Sequence, residues 1–126
     1  MYTDTLTRIR NAQAVRKETV KMPFSKMDLA VLELLKDHKY IEEVQKKGRH
    51  PKRVLEVKLA YQEDGTGRID GVHFLSKQSR HLYSDYKNLI RRKRHGLTVL
   101  STSQGIKSAR DAFKERIGGE VLFEIW

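Results

Sequence analysis

The hydrophobic pattern changes period several times along the chain, and each change marks an element. Tyr2, Leu6 and Ile9 fall on one side of a helix predicted over residues 3–14. Thr3 stands where an N-cap would, and Asp4 suits the positive end of the helix dipole. The opposite side gathers Asp4, Thr7, Arg8 and Asn11, one turn apart. Val20, Met22 and Phe24 then alternate with Lys21 and Pro23, a short strand whose proline favours an edge or an end. Ser25 opens a second helix in the capping-box-like run Ser25-Lys26-Met27-Asp28. Met27, Ala30, Val31, Leu34, Leu35 and His38 repeat at helical spacing and form its expected buried stripe.

The period then returns to two. Ile41 to Val44 is a short strand candidate, and Gly48 to Pro51 turns the chain in a basic loop. Leu55, Val57, Leu59 and Tyr61 alternate with Glu56, Lys58 and Ala60, the mark of a half-buried strand. Asp64-Gly65-Thr66-Gly67 reads as a turn and as the best domain boundary. Beyond it, Ile69 to Leu75 is extended, a short helix falls within Tyr83 to Ile90, and a strand at Leu97 to Leu100 runs into Ser101-Thr102-Ser103-Gln104-Gly105. Ser108 caps another short helix, and Gly118-Gly119 leads into a last strand from Glu120 to Trp126. The pattern predicts an α+β protein of two small α/β modules, residues 1–66 and 67–126. The first runs helix, strand, helix, strand, strand; the second is mainly strands with one or two short helices.

Composition narrows the function. The 126 residues carry 26 Lys+Arg against 16 Asp+Glu, a formal net charge of +10. Such a field concentrates polyanions, and nucleic acid is the commonest polyanion a small basic protein meets. With no cysteine, a disulfide framework, a thiolate zinc site and a Cys nucleophile are excluded. No apolar run approaches the roughly 20 residues of a membrane helix. The N-terminal Met1-Tyr2-Thr3-Asp4 shows neither a signal nor a transit pattern, so the chain is expected to be made and used in one compartment.

Catalytic chemistry finds little support. The histidines at 38, 50, 73, 81 and 95 show no paired metal spacing and read as core-edge or surface residues. Ser101 and Ser103 lack the Gly-x-Ser-x-Gly elbow, and the loop that holds them has neither a Walker lysine nor a second glycine. No catalytic residue, metal ligand, cofactor or small-molecule substrate is therefore assigned.

A binding reading has more material. Ser101, Thr102 and Ser103 place three hydroxyls at a strand end, followed by Gly105, where a ligand can approach the backbone. Gly118 and Gly119 give a second bare stretch, and Glu120 beside them can accept from an exocyclic amine or a 2′-hydroxyl. The same residues equally suit two ordinary turns and an exposed carboxylate. Thr7, Arg8 and Asn11 mix a cation with short polar groups on one helical face, which also suits plain solvent. Tyr83 and Tyr86 could stack on bases or pack into the second core. The Arg91–Arg94 run supplies long-range attraction without specificity.

Taken in order, these segments resemble the bacterial small ribosomal subunit protein S-eight family nearly end to end. The resemblance is carried by Asp4 with Thr7-Arg8-Ile9-Arg10-Asn11-Ala12, by Pro23-x-Ser25-Lys26, and by Ser76-Lys77 with Arg80-x-x-Tyr83. Its most specific part is Ser101-Thr102-Ser103-Gln104-Gly105, then Ala112, Gly118-Gly119-Glu120-Val121-Leu122 and terminal Trp126. It implies a structural protein of the cytoplasmic ribosome that docks on a helix in the central domain of small-subunit ribosomal RNA and helps its assembly, beside neighbouring small-subunit proteins. It implies core RNA contacts at Ser101, Thr102, Ser103, Gly105, Gly118, Gly119 and Glu120. Thr7, Arg8 and Asn11, with Lys77, Arg80 and Tyr83, are implied as peripheral ones. Some family members also repress their own messenger, so a free RNA-binding translational regulator is the alternative. The sequence departs from the family at Gln78-Ser79, where Pro-Gly is usual, and at Lys107-Ser108, where Met-Thr is common.

Overall fold

The computed structural model describes residues 2–49, 52–77, 79–89 and 96–126; the Arg91–Arg94 run and Gln78 lie outside the described residues. Helix α1 (Tyr2–Ala14) buries Tyr2, Thr5, Leu6, Ile9 and Ala12. It starts before Thr3, so that residue lies inside the helix instead of capping it, and its carbonyl accepts from Thr7 Oγ1 at 2.8 Å. Strand β1 (Thr19–Pro23), helix α2 (Lys26–Asp37), strand β2 (Ile41–Lys47) and strand β3 (Val54–Leu59) follow in the expected order. The strands form an antiparallel sheet in the order β1-β3-β2. Pro23 is thereby placed at the end of an edge strand, where a missing N–H does no harm.

Ser25 caps α2 as the sequence suggests, its side chain accepting from the Asp28 amide at 3.4 Å. The buried stripe is rotated from the expected one: Asp28, Val31, Leu32 and Leu35 face inward, while His38 is exposed. The helix stops at Asp37, so His38 closes it, its backbone N–H donating to the Leu34 carbonyl while that of Lys39 donates to Lys36. At the surface beside it, Lys36 and Glu43 meet at 2.8 Å. Their mutual hydrogen bond raises the Lys36 ammonium and lowers the Glu43 carboxyl from their ordinary values. In the turn after β3, the Thr66 hydroxyl and amide both donate to Asp64 and hold its carboxyl below the usual range.

Two compact units result, Met1–Ile69 and Asp70–Trp126. Residues 67–69 stay with the first for a structural reason. Gly67 bridges to Tyr61, the Arg68 amide donates to the Ala60 carbonyl at 3.1 Å, and the Gln13 side chain holds both the amide and the carbonyl of Ile69.

The second unit contains β4 (Val72–Phe74), β5 (Tyr83–Ser84), α3 (Tyr86–Leu89), β6 (Leu97–Thr102), β7 (Gly105–Ser108), α4 (Ala109–Lys114) and β8 (Gly119–Ile125). One edge of β8 pairs with β6, which pairs in turn with β7; β4 and β5 also pair with β8. The short helix expected within Tyr83 to Ile90 is α3. Two strands stand where none is expected: Tyr83–Ser84, which pairs with β8, and Gly105–Ser108, which pairs with β6. Leu100 and Val121 pack with Ala109 and Ala112 of α4, and Leu75, Tyr86 and Phe113 close around them. Phe123 is fully buried with its ring edge-on to Phe74 at 6.4 Å. Among the described residues, no helix is long and apolar enough to cross a membrane.

The chain leaves β8 after Ser76, turns between Lys77 and Arg80, and returns at Leu82. Ser76 ties both ends of this excursion. Its buried hydroxyl donates to the Val121 carbonyl at 2.6 Å and accepts from the Leu82 amide at 3.0 Å. Ser76→Ala should cost about 1–3 kcal/mol, because a buried carbonyl and amide both lose a partner. Denaturant titration reads the cost, and hydrogen exchange at the Leu82 amide should accelerate beyond the global change.

Candidate nucleic-acid interface

Strand pairing brings most of the second-unit candidates together. Glu120 on β8 lies directly opposite Tyr83 on β5 and Ser101 on β6. Directly opposed residues point to the same side of a sheet, so the three side chains form a row across three strands. The neighbouring pair, Leu100 and Val121, faces α4. By alternation, the Tyr83–Glu120–Ser101 row faces away from that helix. Tyr83 is 76% exposed, a large ring left open to solvent. Glu120 and Ser101 are half-buried.

The hydroxyl loop is a two-residue hairpin in which Thr102 pairs with Gly105 across Ser103 and Gln104. Thr102 Oγ1 donates to the Gly105 carbonyl at 2.8 Å and accepts from the Gln104 amide at 3.2 Å. Of the three hydroxyls that suggested a site, this one shapes the turn. Ser103 sits at the tip, exposed, and Ser101 lies in the row described above. Gly105 adopts φ +109°, a conformation side chains rarely take, and open space lies where a Cβ would project.

Gly118 and Gly119 have a different reason to be bare. A Cβ on Gly119 would stand 2.3 Å from the Ser101 carbonyl oxygen, and one on Gly118 would stand 2.5 Å from that of Ser84. These glycines let β5 and β6 close on the start of β8. The space that suggested ligand access is filled by the protein's own backbone.

Lys77 and Arg80 are joined by reciprocal backbone hydrogen bonds of 2.8 and 3.0 Å, and both side chains are exposed on this hairpin. The residue after it was not singled out from the sequence: His81 Nδ1 lies 2.7 Å from Glu120 Oε2. The pair is 39 residues apart in the chain, so no local spacing could signal it.

Thr7, Arg8 and Asn11 belong to the first unit, exposed on one face of α1. Arg8 Nη1 reaches the Lys21 carbonyl at 3.4 Å, which leans the guanidinium toward β1 and leaves its other donors. Beside it, Asn11, Val15, Lys17, Val20 and Lys21 line a shallow groove between α1 and β1.

Exposed donors, one open aromatic ring and a held carboxylate therefore stand together on a strongly basic α+β scaffold. Family comparison identifies the class. Residues 1–126 match the model of the family Ribosomal protein S8. Small ribosomal subunit protein uS8 of Helicobacter pylori (strain Shi470) is 37% identical over 124 residues, covering 98% of this chain and 95% of that protein. The protein of the same name from Sorangium cellulosum is 38% identical over 125 residues, with the same coverage. The chain belongs to the ribosomal protein S8 family, a structural rather than catalytic class whose place is the small subunit of the cytoplasmic ribosome.

The glycine assignments are separable by experiment. Gly119→Ala should destabilise the fold by more than about 2 kcal/mol, since backbone must move to admit the methyl group. Gly105→Ala should cost about 1–2 kcal/mol from backbone strain alone. Denaturant midpoints check the order; a milder effect at Gly119 would reverse the assignment.

Proposed function

We propose that this chain is a primary RNA-binding protein of the small subunit. It docks on a helix in the central domain of the ribosomal RNA and helps that domain assemble beside neighbouring small-subunit proteins. The observation that carries the reading is the row of Tyr83, Glu120 and Ser101, with the Ser103 hairpin beyond it, in a chain of net charge +10. Charge brings the RNA in and fixes no sequence. The row supplies what charge lacks: a ring to stack on a base, a carboxylate to accept from an amine or 2′-hydroxyl, and hydroxyls that both donate and accept. Lys77 and Arg80 reach phosphates from the hairpin beside the row. On α1, Thr7, Arg8 and Asn11 supply a separate set of contacts. Gly118, Gly119 and Thr102 act by holding the strands and the turn in place, and Gly105 leaves its surroundings open to the backbone.

Two measurements test this with a transcript of the central domain and an unrelated hairpin of equal length. Affinity for both should fall by roughly a decade or more between low and physiological salt, from release of counterions. Ser103→Ala should weaken the central-domain transcript by about five- to 150-fold, the equivalent of a lost hydrogen bond of 1–3 kcal/mol, and leave its salt slope unchanged. Equal losses on both RNAs would refute recognition by the hairpin.

Glu120→Gln discriminates further. It removes a negative charge, so attraction alone predicts tighter binding to every RNA. Recognition by the carboxylate predicts weaker binding to the central-domain transcript only, because an amide offers one acceptor where the carboxylate offers two. In cell extract the chain should sediment with the small subunit; recovery on messenger alone would favour a free translational regulator.

A further inference from the structure

We infer that His81 is a positioning residue: it donates from Nδ1 to Glu120 Oε2 and so presents the other carboxylate oxygen to a single RNA donor. The inference rests on the reading of Glu120 as an RNA contact. The geometry differs from that of the lysine pairs. Glu42, Glu43, Glu56 and Glu115 each pair with a lysine, whose long stem lets the charge swing. Glu120 pairs instead with an imidazole at 2.7 Å, a short and rigid donor.

The backbone that delivers His81 is held on both sides. Before it, the Arg80 carbonyl accepts from the Lys77 amide at 2.8 Å. After it, the Leu82 amide donates to Ser76 Oγ at 3.0 Å and the Leu82 carbonyl accepts from Val121 at 2.8 Å. The Glu120 side chain is 21% exposed against 54% for His81, so the imidazole stands on the solvent side and the carboxylate lies closer to the sheet. Donation from Nδ1 occupies one oxygen and fixes the carboxylate plane. A carboxylate so held recognises a donor by position, whereas a free one would repel the surrounding phosphates from many rotamers.

The test compares wild type, His81→Ala, His81→Asn, Glu120→Ala and the His81→Ala/Glu120→Ala double variant on the central-domain transcript and the unrelated hairpin. Asparagine is the informative replacement, since its Nδ2 is as many bonds from Cα as the histidine Nδ1. Alanine and asparagine remove the imidazole equally, so any difference between them isolates the donor. His81→Ala should bind the transcript about five-fold more weakly, a loss typical of one partly exposed hydrogen bond to a charged group. His81→Asn should recover to within about two-fold of wild type, and the double variant should bind no more weakly than Glu120→Ala alone. Thermal melts check that each variant folds, and the imidazole ¹⁵N spectrum of the free protein should show an Nδ1–H that changes in Glu120→Ala. Equal binding by His81→Ala and wild type, equal losses for Ala and Asn, or losses that multiply in the double variant would each overturn the role of His81. If wild type does not prefer the transcript, the functional reading itself falls; if only Glu120→Ala weakens binding, the reading stands and the inference about His81 does not.

Discussion

The second unit depends on how closely three backbones can approach at the start of β8. Strand β6 must pass Gly119 with the Ser101 carbonyl where a Cβ would otherwise stand, and β5 must pass Gly118 in the same way. Only this approach puts Tyr83, Glu120 and Ser101 in register. One constraint therefore acts at two levels. It closes a sheet over the Leu100–Val121 core, and it aligns a polar row on the opposite face. Ser76 extends the arrangement by fixing both ends of the hairpin that carries Lys77 and Arg80.

Where a single face is buried, the sequence announces it. Leu55, Val57 and Leu59 alternate because one side of β3 is covered, and all three are buried. The stripe of α2 is half legible: Val31 and Leu35 face inward, but Asp28 and Leu32 are buried beside them where Ala30 and Leu34 were expected, and His38 lies past the helix end. β7 escaped because its single apolar residue, Ile106, lies between Gly105 and Lys107, too little for a period to emerge. The short strand at Tyr83 and Ser84 carries no local signal because its pairing partner, Gly119-Glu120, lies more than thirty residues away. Local propensity cannot see such a partner.

The candidate site was legible in composition and less so in mechanism. Hydroxyls and glycines cluster in the sequence, but whether they meet a ligand or each other is a question of tertiary contact. Thr102 spends its hydroxyl on its own turn, and Gly118 and Gly119 serve strand approach. These residues remain necessary to the row even though they need touch nothing outside the protein. His81 shows the converse, a residue with no local signal that tertiary pairing brings onto a candidate recognition group.

If Glu120 meets RNA as proposed, the placement of a carboxylate in so basic a chain follows from the difference between attraction and recognition. Lysines and arginines give the field, but exposed and mobile ammonium groups gain about as much from one phosphate as from another. Among the described residues, Glu42 and Glu43 sit with such lysines at the surface, where each pair contributes little and is screened by salt. Glu120, in a strand paired on both edges, differs in being held by an imidazole instead of a lysine. In the proposed interface it opposes binding wherever no donor meets the free oxygen, and favours it where one does. A carboxylate of this kind lowers affinity for the wrong RNA at the same time as it raises affinity for the right one. That asymmetry is something the surrounding positive charge cannot generate, however large it becomes.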